Sequence, residues 1–357
     1  MGEKREFFGI HLIKCFAILF VVCFHFFYRT DYHAVTIFGW NLYVQTALRW
    51  LFHICVPLFF LSTGFLRHDT TFSKRYYRGV LRVVIPYLVI SLITVCLRFL
   101  WIDGLNHRPN CGTVVHFLDL LLGILRFDAI GYGWFVGAFI ALYLAIPLIN
   151  WIWSKCKRVG RILLVCGLAL FMWVDLFDLS MNLYPALYFL IGKMVREDDF
   201  MIPPEGGIGC LRAAAVFFIQ LFVVIYVNNH APTVMSYFDN YGSVLPVCFA
   251  TLFFTALCGL REPNNRTLFR AVKFVSVSTF EIYLFLYVFD YVFYSLFLSS
   301  FYLPTQELKL ILFLFVPALS FFCACACAFC YRRVSSFFVK KYRERKEANA
   351  AALREEK

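Results

Sequence analysis

The chain has 357 residues, 61% of them hydrophobic, and its mean hydropathy is +0.72. Only 16% are charged, well below the roughly 25% of a soluble domain, and no long polar stretch leaves room for a separate soluble domain. A net charge of +12 would point to nucleic acid in a soluble protein, but here the basic residues fall in alternate loops. The sign therefore reports orientation against a bilayer, and no nucleic-acid partner is expected.

The first apolar run, Ile10 to Tyr28, reads IHLIKCFAILFVVCFHFFY. It is too long for a cleavable signal peptide and no small-residue cleavage site follows it, so it should stay as a span. It carries Lys14 near its start and His25 near its end. Eleven residues make three turns plus roughly 20°, so both side chains share one face, separated by a rise of about 16 Å. Ionisable groups at that depth in a bilayer are costly and mark functional sites. The plainer alternative is a snorkelling lysine and a hydrogen-bonded core histidine.

The second span should kink at Pro57, and Ser62, Thr63 and Gly64 near its end are small enough to admit a close neighbour. Arg75, Arg78 and Arg82 follow at i, i+3 and i+7 on one helical face. Guanidinium forks of this kind match phosphate oxygens, although a positive-inside anchor would also use them. The next loop, Trp101 to Gly133, holds VVHFLDLLLGILRF, too short to span and expected to be a re-entrant or interfacial helix. His116, Asp119 and Asp128 in this loop could touch a polar substrate but are expected to be solvated, and Trp134 to sit at the outer interface.

Helical runs at 10–28, 45–66, 82–101, 132–153, 161–178, 181–196, 210–228, 243–260, 275–299 and 308–331 complete about ten spans. The ninth holds two carboxylates, Glu281 and Asp290. Glu281 either pairs with Lys14 or an arginine, or contacts a proton or a substrate. The 14 Cys lie mostly in apolar runs, where thiols act as small hydrophobes. Cys323, Cys325, Cys327 and Cys330 sit mid-span with no loop to gather them, so no metal is expected. Cys111 is alone in an outer loop, so no structural disulfide is expected.

Lysine and arginine crowd the N-terminus (Lys4, Arg5), the even-numbered loops (including Arg261) and the tail. Both termini are thus expected to be cytoplasmic. The expected fold is all-α: a polytopic transmembrane helical bundle over residues 1–339, followed by a polar cytoplasmic tail at 340–357 on or beyond the inner membrane surface.

Three segments resemble the membrane-bound acyltransferase 3 family, whose members acylate sugars and surface polysaccharides. The first is KCFAILFVVCFH, a basic residue and a histidine separated by ten residues. The second is VPLFFLSTGF, and the third is Arg75-Tyr-Tyr-Arg78. Weaker echoes are WFVGAFIALYLAIPLI, YFLIGK and STFEIYL. Departures are His11 where an acidic residue is usual, Lys14 in place of arginine, Thr63 in place of serine, and Leu286 where a late span often has histidine.

The resemblance implies an O-acyltransferase of the plasma or inner membrane. It would move an acyl group, acetyl most commonly, from cytoplasmic acyl-CoA to a hydroxyl of a cell-surface glycan or its lipid-linked precursor. Arg75, Arg78 and Arg82 would hold the CoA phosphates, and His25 would act as general base or carry a transient acyl group. Lys14 would meet the pyrophosphate or pantetheine arm or pair with Glu281, while Thr63, Trp134 and Glu281 would touch substrate. A thioester is already activated, so the chemistry requires no metal. The rival readings are a transporter or flippase for a glycan or glycolipid, and a sensor or scaffold without catalysis.

Overall fold

The computed structural model describes residues 8–32, 38–105, 111–174, 180–198, 206–230, 240–260 and 262–355. Among them the regular structure is entirely helical. A chain this apolar must satisfy its backbone groups within each segment once it leaves water, and a helix does so. Lys4, Arg5, Arg261 and the break between the expected spans at 161–178 and 181–196 lie outside or at the edge of the described residues.

The helices are α1 (Phe8–Arg29), α2 (Trp40–His53), α3 (Cys55–Leu66), α4 (Lys74–Arg78), α5 (Leu81–Leu97), α6 (Asp103–Leu105), α7 (Val114–Arg126) and α8 (Trp134–Lys155). They continue with α9 (Arg158–Val174), α10 (Ser180–Glu197), α11 (Gly206–His230), α12 (Val244–Cys258), α13 (Arg266–Ser300), α14 (Gln306–Phe313) and α15 (Val316–Glu355). Each of the ten expected spans falls on one or two of these. By length and hydropathy, 7 helical stretches among the described residues can cross a membrane. The three spans outside that set are α9, α10 and α12, which are shorter or less apolar.

The second span is two helices rather than one kinked rod. Pro57 has no N–H to give the carbonyl of His53, and its ring crowds that carbonyl. The helix accordingly breaks at Ile54, and the Cys55 thiol sits 3.9 Å from the freed His53 oxygen. The small residues after the break admit α10. Gly64 lies against the carbonyl of Phe189, and Gly192 of α10 lies against the carbonyl of Leu61. A methyl group at either position would collide with backbone.

Helix α1 is the axis of the bundle, with Ile13, Ala17, Ile18, Phe26 and Phe27 wholly buried. It runs parallel to α13: His11 meets Ser276 at 2.9 Å, and His25 meets Asp290 at 2.9 Å, both pairs 265 residues apart. Constant offset over fourteen residues keeps one face of α1 on α13 along most of its length. Far from the arginines, a polar clamp fixes the end of α1. Gln306 donates to Thr30 Oγ1 at 3.0 Å and to Gln45 Oε1 at 3.1 Å, and Lys309 donates to the Thr30 carbonyl at 3.0 Å.

Helix α7 has 13 residues, about 20 Å of helix, too short to cross. His116 is not solvated as expected from sequence. Its Nε2 lies 3.1 Å from the buried carboxylate of Asp103, which Arg98 also grips at 3.2 Å. Asp119 and Asp128 are exposed and flank Arg126 at 2.7 and 3.4 Å. At the other end of the chain, α15 has 40 residues and runs unbroken across the expected span–tail boundary.

Candidate active site

His25 is the centre of a polar constellation at the far end of α1. The side chain is 12% exposed and Asp290 is wholly buried. Asp290 Oδ2 lies 2.9 Å from His25 Nδ1 and accepts the Tyr132 hydroxyl at 3.1 Å. The Tyr132 ring stacks on the imidazole, with centroids 3.6 Å apart and planes inclined by 23°. Arg29, one turn beyond His25, points Nε and Nη2 at the Tyr132 hydroxyl, each at 3.4 Å. Its guanidinium lies over the rings of Tyr291 and Tyr287 at 4.9 and 5.6 Å. The Tyr132 backbone is held in turn, because Tyr283 donates to its carbonyl at 2.6 Å.

A cavity of about 350 Å³ opens beneath this constellation, on the side toward the arginines. Its polar wall comprises Lys14, Thr63, Arg82, Ser276, Thr279, Glu281 and Arg332. Its apolar wall is chiefly Phe59, Phe135, Phe139 and Phe280, and Tyr283 borders it as well. Glu281 is paired with Arg332 at 3.2 Å, not with Lys14. Thr63 lines the space, but its hydroxyl hydrogen goes to the Phe59 carbonyl at 2.8 Å.

Outside the cavity mouth lies a wider groove of about 850 Å³ carrying Arg67, Lys74, Arg75, Arg78 and Arg82. Its floor is braced from several helices. Asn150 of α8 donates to the carbonyls of Arg67 and Thr70 at 3.0 and 2.8 Å, and Lys193 of α10 donates to that of His68. Tyr76 and Tyr143 stack with centroids 4.6 Å apart, and the Arg67 guanidinium lies 4.8 Å from the Tyr143 centroid. Ser73 caps α4 by accepting the Tyr76 N–H at 3.1 Å. The chain turns at Gly79, where the Tyr143 hydroxyl leaves no room for a side chain.

Arg82 lines both the groove and the cavity. The structure thus gathers Arg75, Arg78 and Arg82 in one groove, and Lys14, Thr63, Arg82 and Glu281 around one cavity. His25 stands behind the Tyr283 and Phe135 wall of that cavity rather than on its surface. Trp134 lines neither space; it is 44% exposed and faces Tyr241, with ring centroids 6.5 Å apart.

Four participants escaped sequence reasoning: the partnership of Asp290 with His25, and the parts played by Tyr132, Arg29 and Arg332. For Asp290 a signal existed. Tyr283, Tyr287, Asp290, Tyr291 and Tyr294 recur at helical spacing in a span otherwise full of phenylalanine, which makes a polar stripe. Among the described residues, no group of three or more histidine, cysteine or carboxylate side chains is placed to hold a metal ion.

Apolar helices, an intramembrane cavity lined by cations and an imidazole–carboxylate pair behind it define a membrane protein with a candidate catalytic centre. A family model described as an acyltransferase domain matches residues 7–332. The chain therefore belongs to the acyltransferase 3 family and is a membrane acyltransferase. No curated protein and no solved structure matches it.

Proposed function

We propose that the protein transfers an acyl group, acetyl in the simplest case, from acyl-CoA to a hydroxyl of a cell-surface glycan or its lipid-linked precursor. The observation that carries this reading is Arg82, which lines the arginine groove and the intramembrane cavity alike. A donor with phosphates at one end and a thin, mostly apolar arm matches that sequence of surfaces. Arg75, Arg78 and Arg82 take the phosphates as charge-assisted, bidentate partners. Lys14 meets the arm or the pyrophosphate within the cavity.

The thioester reaches His25 when the wall formed by Phe135 and Tyr283 opens. As the acceptor oxygen attacks the thioester carbonyl, its proton passes to the free imidazole nitrogen, the C–O bond forms and the C–S bond breaks. The proton then passes to the departing CoA thiolate, so the products are an ester and free CoA. Imidazole suits this role near neutral pH. The basic end of the molecule is cytoplasmic in this reading, which puts the donor groove in the cytoplasm and His25 in the outer half of the membrane. The membrane is the plasma or inner membrane.

The test is release of free CoA by the purified protein in nanodiscs, with acetyl-CoA and a glycan acceptor. Acceptor-dependent release that falls about 10²- to 10⁴-fold in His25→Ala is the expected result. Transport of the glycan with no release of CoA would instead favour the flippase reading.

A further inference from the structure

We propose that Asp290 is a positioning residue that fixes the proton of His25 on Nδ1 and leaves Nε2 as the base, with Tyr132 and Arg29 holding the carboxylate in place. The inference rests on the transfer reading above and deepens it.

A carboxylate accepts and does not donate, so the 2.9 Å contact to Asp290 Oδ2 requires the hydrogen of a neutral imidazole to sit on Nδ1. The lone pair is then on Nε2, which makes no hydrogen bond among the described residues. The Tyr132 ring, 3.6 Å from the imidazole centroid, blocks the ring flip that would exchange the two nitrogens.

A wholly buried carboxylate survives only with hydrogen-bond donors and a compensating charge. Both are present in sequence: Arg29 donates to the Tyr132 hydroxyl, and that hydroxyl donates to Asp290 Oδ2. Arg29 is itself held over Tyr287 and Tyr291. This converges on a single oxygen, while Oδ1 is buried with no hydrogen-bond partner among the described residues.

The experiment compares Asp290→Asn, Asp290→Ala, Tyr132→Phe and His25→Ala as full-length purified proteins in nanodiscs. Free CoA release is measured against acetyl-CoA concentration, and thermal unfolding is followed in parallel. Asparagine keeps the shape, but its amide can donate to Nδ1 and drive the proton to Nε2. Asp290→Asn should therefore lose about 10²- to 10⁴-fold in kcat with its apparent KM for acetyl-CoA unchanged. Asp290→Ala, which imposes no tautomer, should retain more activity than Asp290→Asn. Tyr132→Phe keeps the stacked ring and should lose kcat alone.

A role in packing alone predicts the opposite order, with the isosteric asparagine close to wild type and alanine worse. Wild-type kcat in Asp290→Asn, with His25→Ala inactive, overturns the proposal and leaves the transfer reading standing. An active His25→Ala overturns the transfer reading, and this inference falls with it. Should both Asp290 variants unfold, Tyr132→Phe decides: a loss of kcat at constant KM supports the proposal, and wild-type kcat overturns it.

Discussion

In the proposed reading, three cations meet the donor at two depths. Arg75 and Arg78 are exposed on the groove, where a phosphate ligand would have to displace water. Lys14 lines the cavity, and its ammonium makes no ion pair among the described residues, since Glu281 is taken by Arg332. A hydrogen bond to a charged partner is worth about 1.5–3 kcal/mol. Arg75→Ala should accordingly raise the apparent KM for acyl-CoA about 10- to 100-fold with little change in kcat. Arg75→Lys should recover only part of the loss, because an ammonium lacks the planar fork. Initial rates over a range of acyl-CoA check both. Glu281→Gln is informative in the other direction. It releases Arg332 into the cavity, so a lowered KM for acyl-CoA is the expected outcome in the same assay.

Among the helices, α3 and α10 cross with their backbones in close approach. It depends on two glycines, Gly64 and Gly192, each of which faces the carbonyl of the opposite helix. In lipid there is no hydrophobic drive between helices, so close backbone approach supplies the association. Gly192→Ala should cost about 1–3 kcal/mol by overpacking, read as a lower unfolding temperature in detergent. Gly167 on α9 has open space where a methyl group would go. Gly167→Ala should therefore be neutral or stabilise by up to about 1 kcal/mol, and the contrast separates crowding from helix propensity. The α3 helix also carries Phe59 and Thr63 of the cavity wall, so Gly192→Ala should alter the KM for the donor as well as stability.

The molecule as a whole has a basic end and a less basic one. Arg75, Arg78, Arg82, Arg196, Arg332, Lys340 and Lys341 belong to the first, whereas α7 and Cys111 belong to the second. Helix α15, at 40 residues, is about 60 Å long, twice the thickness of a hydrocarbon core. Its charged half therefore extends into water at the basic end. If that end is cytoplasmic, a membrane-impermeant maleimide should label Cys111 in intact cells, and Cys111→Ser should abolish the signal. A cysteine introduced by Glu344→Cys should be labelled only after permeabilisation. The reverse pattern would invert the orientation and put the donor groove outside, away from acyl-CoA.

Much of this was legible along single helices. The apolar runs announced an all-α membrane protein because each helix meets lipid on its own, and hydropathy sums over neighbours in sequence. The spacing of Lys14 and His25, like that of Arg75, Arg78 and Arg82, is a property of one helical pitch; in the fold Lys14 lines the cavity, His25 does not, and the three arginines share one groove. Pro57 marked a disruption, although its effect is a break at Ile54 and not a bend. Pairing across helices was not legible. Nothing near His25 names Asp290, 265 residues away, and Glu281 had two plausible cations, of which the fold brought up Arg332. The reason is the solvent. In water, the buried face of a helix shows itself by contrast with a polar one. In a bilayer both faces are apolar, so which neighbour a given face meets is left to close packing, and that is settled only when the helices are assembled.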